Sequence, residues 1–195
     1  VVAGVFHTAA MVQRGISFAR CPVNNLYEAT VFMTLAIMAV CVGIGVFRKL
    51  RFLVALASPI LFGLGVFAMF PNLDSFHERP EFSHGALSMH VALILLAYGA
   101  FALAAMSSAM YLSQEHDLKF NKMRAIHAII PPIVRLEKAT VRLLWTGVVL
   151  MAWGLAIGFG VVRKLEDFKS GGDAKVYWAV MVWLAYLALL VGRWK

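Results

Sequence analysis

Apolar residues run along this chain in long unbroken stretches rather than in short alternating ones. The stretch Tyr27 to Phe47 is representative: it does not alternate, and it is close to the ~20 residues that a helix needs to cross ~30 Å of hydrocarbon. Strands crossing a bilayer would alternate over about 10 residues, so the pattern predicts helices. Six segments emerge: Val1 to Gln13, Tyr27 to Phe47, Phe52 to Phe70, Leu87 to Leu112, Leu143 to Val162, and Val176 to Trp194. The first is too short to span alone and reads as the end of a longer helix. After Pro131-Pro132, Ile133, Leu136 and Ala139 form one stripe with Arg135, Glu137 and Lys138 off it, a helix started by proline that runs on into the Leu143 segment. The expected fold is an all-α, polytopic membrane helix bundle of about six segments, a single domain over residues 1–195 without repeats or low-complexity tracts.

Composition agrees. Of 195 residues 62% are apolar and 14% charged, whereas soluble domains run near 45–50% and about 25%, which excludes an ordinary water-soluble globule. The net charge of +8 would suggest nucleic acid in a soluble domain, but the basic residues cluster at the ends of apolar runs, where they orient helices and meet anionic headgroups. No nucleic-acid partner is expected. One set of segment ends carries 11 Lys and Arg and the opposite set 7, so the first set faces the cytoplasm. The connections Arg14 to Asn25, Pro71 to Ala86 and Arg163 to Lys175 then lie outside. The second holds Asp74, Glu78, Glu81, His77 and His84, and the third ends in a Gly171-Gly172-Asp173 turn. Before the first apolar stretch there is neither a Met nor a charged region, so no secretory signal is visible and the chain is expected to begin partway through a helix.

Candidate chemistry is sparse. Phosphate-loop, dinucleotide, zincin and nucleophile-elbow motifs are all absent, and Cys21, in a loop, has no disulfide or redox partner in Cys41, inside a span. Gly63 and Gly65 read as a packing feature; Ala100, Ala104 and Ser108, with Gly154 and Gly158, read as contact faces between helices without functional content. Histidine is what stands out. His7 sits mid-segment and His90 about one turn inside the outer end of its segment; ionisable groups in membrane helices are costly and usually face the bundle interior. Both fall in the outer half, His7 about 10 Å deep at ~1.5 Å per residue, and facing each other they would suit the axial positions of a haem. The competing reading is that each ring hydrogen-bonds to a Ser, Thr or carbonyl across the bundle. His77 and His84 read as solvated loop residues, with His84 a candidate over the outer mouth of a pocket; His116 and His127 read as cytoplasmic surface. Trp178, Tyr177, Tyr186 and Trp145 suit an interfacial belt, whereas Trp153 and Trp183 lie too deep for one and are expected to line a pocket or fill the interior.

Four ordered stretches carry a family resemblance. They are Arg20-Cys21-Pro22-Val23-Asn24-Asn25-Leu26-Tyr27-Glu28; Met89-His90-Val91 with Ala97-Tyr98-Gly99-Ala100; Pro132 through Arg142; and Asp173-Ala174-Lys175 with Trp178-Ala179, Trp183 and Arg193. Together they resemble the cytochrome c assembly family, in its CcsA and HemX branch related to CcmC. The resemblance implies a bundle that holds haem, as haem b, at its outer face and helps deliver it to apocytochrome c, together with another cytochrome c assembly membrane protein. It implies a bacterial inner-membrane location, with His90 in the position of the family's external haem ligand, His7 or His84 as second ligand candidates, and Asp173 and Trp178, in the motif that follows the family's haem-cradling tryptophan loop, as cofactor-binding candidates. Departures are visible. Glu166 to Gly172 contains none of the family's tryptophans, and Val191 stands where CcsA members have a histidine. The final helix and second external histidine of full-length members would lie beyond Lys195. These departures fit a HemX-like accessory role, or a relative that has lost haem handling, better than haem attachment.

Two other classes compete. One is a non-catalytic structural subunit that binds a partner membrane protein through its small-residue faces. The other is a small-molecule transporter, for which broken helices or paired half-repeats are expected and only Pro59 interrupts a span.

Overall fold

The computed structural model describes residues 2–18, 22–23, 25–45, 52–74, 85–120, 132–162 and 174–193. Among them are six helices and no strand: α1 (Val2–Ser17), α2 (Leu26–Gly45), α3 (Phe52–Ala68), α4 (Gly85–Lys119), α5 (Ile133–Val162) and α6 (Ala174–Gly192), with a 3₁₀ turn at Pro71–Asp74 after α3. The all-α expectation therefore holds. Among the described residues three stretches are long and apolar enough to cross a membrane, Leu26–Gly43, Ser88–Lys119 and Ile133–Gly160, while Ala57–Ala68 and Tyr177–Gly192 are shorter apolar stretches. The fourth segment was expected to end at Leu112 but continues to Lys119. At about 1.5 Å per residue α4 is longer than the hydrocarbon is thick, and its last two turns bury Gln114 and Asp117.

Local chemistry explains where helices start and how one survives a proline. Asn25 caps α2, its Oδ1 accepting the Glu28 N–H at 2.7 Å. The Pro132 carbonyl accepts the N–H of Arg135 at 2.8 Å, so α5 begins at the proline as the sequence indicates. Inside α3, Pro59 has no N–H to offer the carbonyl four residues earlier, which is that of Ala55. Ser58 fills the gap, donating its hydroxyl to the Ala55 carbonyl at 2.7 Å, and the helix continues.

The long α4 and α5 form the central antiparallel pair. Ser107 donates to the Leu136 carbonyl at 3.1 Å, Phe101 covers Gly147, Ile94 covers Gly154, and His90 covers Gly158, a register maintained over the full contact. On one side α6 joins them: the Trp183 indole donates to the Val148 carbonyl at 3.1 Å, and Tyr186 stacks on Phe101 with centroids 3.9 Å apart. Arg193 pairs with Glu137 at the far end. On the other side α2 packs Ile37 onto Gly99 and shares a core with Cys41, Ala57, Leu103, Ala104, Ala139 and Leu143. The small-residue faces of α4 and α5 are thus internal contacts, as expected. Gly63 and Gly65 are not: among the described residues nothing lies within 4 Å of the Cβ either would carry. Their glycines open no close approach, so the packing role expected of them is corrected.

Candidate functional site

His90 lies in the second turn of α4, half-buried against α5. Its Nδ1 is 2.6 Å from the carbonyl oxygen of Gly154. A carbonyl only accepts, so Nδ1 carries the proton, and in the neutral ring Nε2 is left with the lone pair. The imidazole lies over Gly158, where a Cβ would sit 2.7 Å from Cε1 and 2.8 Å from Nδ1 of the ring. One turn along, a Cβ on Gly154 would sit 2.9 Å from Ile94 Cδ1. The ring and its neighbour thus rest on two glycines that the sequence marks only as packing.

His7 makes the other kind of bond. Its Nε2 is 2.9 Å from the Val31 carbonyl and 3.2 Å from the Thr34 hydroxyl, and Thr34 itself donates to the same carbonyl at 2.7 Å. Both histidines therefore bond across the bundle, but through opposite nitrogens. The structure turns them to different helices, His7 to α2 and His90 to α5, and they do not pair. His84, His77, His127 and Asp173 lie outside the described residues. Trp178, near the start of α6, is 65% exposed, next to Ala179, which packs into the shared core of α4, α5 and α6. Trp183 fills the interior as expected. Trp153 does neither of the things expected of it: at 65% exposed it points away from the bundle, because it precedes Gly154, whose face meets α4. Among the described residues no three His, Cys, Asp or Glu side chains gather to hold a metal ion; a haem iron asks the protein only for one or two axial ligands.

A second locus lay hidden in the sequence. Arg14, at the end of α1, donates through Nε to Glu28 at 2.9 Å and through Nη2 to Asp74 at 2.5 Å. Asn25 also donates to Asp74, at 2.7 Å. The guanidinium lies 5.1 Å from the centroid of Tyr27 and 5.3 Å from that of Phe18, within the range of cation–π attraction. Glu28 has no exposed surface, so its charge depends on these partners. The Asn25-Leu26-Tyr27-Glu28 stretch thereby has a physical account: Asn25 caps, Tyr27 flanks the arginine, and Glu28 holds it. Only the carboxylate inside an apolar run signalled this, and its partners were too distant in sequence to find.

An all-α bundle with apolar helices of membrane length, presenting one imidazole whose inner nitrogen is bonded and whose outer nitrogen keeps its lone pair, defines a membrane-helix protein equipped with a candidate axial ligand. Comparison with known proteins agrees with that class. The chain belongs to the cytochrome c assembly protein family, whose model matches residues 23–195. Protein HemX of Brevibacillus brevis is 27% identical over 196 residues, covering 100% of this chain and 72% of the relative. The cytochrome c biogenesis protein CcsA of Guillardia theta is 21% identical, covering 99% of this chain and 70% of the relative. The inner membrane protein YpjD of Escherichia coli is 26% identical over 134 residues, 69% of this chain and 49% of the relative. No solved structure matches the chain.

Proposed function

We propose that the protein acts in c-type cytochrome biogenesis as a haem-handling membrane factor that holds haem b at the outer face through His90. The observation that carries the reading is the 2.6 Å bond from Nδ1 of His90 to the Gly154 carbonyl. Histidines that bind metals nearly always donate their other ring N–H to a carbonyl or carboxylate, which fixes the tautomer and raises the basicity of the coordinating nitrogen. The donor set therefore fits the group: a neutral imidazole with Nε2 available, on a helix of an apolar bundle. Bound haem would supply the porphyrin to be attached to an apocytochrome; this chain's own residues bind and orient it. His90 is the ligand and Gly154 its orienting partner. Trp178, exposed near the start of α6, and Asp173, five residues earlier in the chain, are the proposed cradle, with His84 the remaining candidate for a second ligand. His7 is a poorer one, since its Nε2 is committed to Val31 and Thr34. Apocytochrome c and a second cytochrome c assembly membrane protein are the proposed partners, in a bacterial inner membrane, consistent with the names that the CcsA and YpjD relatives carry.

The structural-subunit reading has less support. The small-residue faces it relied on are used within the chain, with Ala100 and Ala104 buried and Gly154 under Ile94. The test is the oxidised and reduced absorption spectrum of the purified protein, with a haem extraction assay. Haem in the wild type and its loss in His90→Ala are expected; no haem in the wild type, or undiminished haem in His90→Ala, overturns the assignment.

A further inference from the structure

The Gly154 and Gly158 pair has the spacing of a common helix-packing motif, yet the structure uses it in a more specific way. In an α-helix the carbonyl of residue i points along the axis toward residue i+4, whose N–H it accepts. The side chain at i+4 leans back over the preceding turn and covers that carbonyl's second lone pair. For Gly154 the covering residue is Gly158, and it has no side chain. The imidazole of His90 occupies the space: Cε1, Nδ1 and Nε2 lie 2.7, 2.8 and 3.4 Å from where a Cβ on Gly158 would be. Gly154, for its part, lets α4 approach closely enough, with Ile94 Cγ1 3.1 Å and Leu93 Cβ 3.4 Å from its own missing Cβ, for the 2.6 Å bond to form.

We infer that this glycine pair is a seat for the His90 ring, and that Gly158 is a positioning residue which fixes the Nδ1–H tautomer and so presents Nε2 as the ligand nitrogen. Restoring a methyl at Gly158 overlaps the ring edge that carries the bond. The ring has to swing off the Gly154 carbonyl, and the proton is then free to move to Nε2, where it blocks coordination. The consequence for haem rests on the function proposed above; the seat itself does not.

The experiment reads both separately. The full chain, labelled with ¹⁵N-histidine and reconstituted in lipid, is measured by solid-state NMR, the His90 signals being identified by their loss in His90→Ala. The expected wild-type result is a single Nδ1–H tautomer. Gly158→Ala is expected to replace it with the Nε2–H form or a mixture and to weaken haem binding by about 10–100-fold, the usual effect of losing a ligand's hydrogen-bond partner. Gly160→Ala, where nothing lies within 4 Å, is expected to change neither. An Nε2–H tautomer in the wild type, or an unaltered tautomer in Gly158→Ala, overturns the inference; the wild-type spectrum decides even if Gly158→Ala fails to fold. A locked Nδ1–H tautomer in a protein that takes up no haem would leave the seat standing and overturn the proposed function.

Discussion

Two histidines buried to a similar degree in the same bundle have different chemistry because they bond through different nitrogens. His90 spends Nδ1 on Gly154 and, among the described residues, leaves the nitrogen far from its own backbone unbonded, whereas His7 spends that far nitrogen on Val31 and Thr34. The sequence shows each as a lone imidazole in an apolar run, and nothing in its spacing says which nitrogen will be used. That depends on which carbonyl an adjoining helix leaves uncovered, a tertiary fact. His7 accordingly acts as a clasp between α1 and α2. His7→Ala is expected to leave haem content unchanged and to lower stability by about 0.5–1.5 kcal/mol, the net worth of a lost hydrogen bond whose acceptor keeps Thr34, measured by thermal unfolding in detergent alongside the haem spectrum.

At the scale of elements, the helices were legible because composition and length dictate them, and the proline start of α5 because its cause is local. The extension of α4 past Leu112 was not, since the charged residues there end the apolar run on which the segment was drawn, whereas the helix goes on to Lys119 with Gln114 and Asp117 buried. Trp153 was misread for a related reason: depth along a segment follows from residue count, but which way a side chain points depends on the face that the partner helix takes. That face on α5 is marked by Gly147, Gly154 and Gly158. At Gly147 an added methyl would overlap the Phe101 ring, which is itself stacked on Tyr186. Gly147→Ala is expected to cost about 1–3 kcal/mol through overpacking, with a lowered melting temperature, while leaving the His90 tautomer as it is.

Across the whole molecule, α4 and α5 form a spine with α6 on one flank and α2 on the other, and α1 is secured to α2 by its side-chain bonds. The Arg14, Glu28, Asn25 and Asp74 network gathers the end of α1, the start of α2 and the turn after α3 at one end. Those three points were all expected on one side of the membrane, and their meeting agrees with that up-down order of the helices. Glu28→Ala removes the buried member of the network while Arg14, partly exposed, keeps Asp74, and losing a charge-assisted hydrogen bond of this kind costs about 1.5–3 kcal/mol. The expected outcome is a sharp fall in folded protein recovered from membranes, with a smaller fall for Asp74→Ala, since Asp74 is exposed. Equal effects of the two substitutions would show that the network does not depend on burial of Glu28.

The same ion pair constrains how the chain is built. Arg14 and Glu28 are both synthesised before any residue of α3 exists, and a carboxylate that ends with no surface in contact with water needs its cation as soon as it leaves water. α1 and α2 can thus neutralise this carboxylate between themselves, and Asp74 joins the pair only once the turn after α3 has been made.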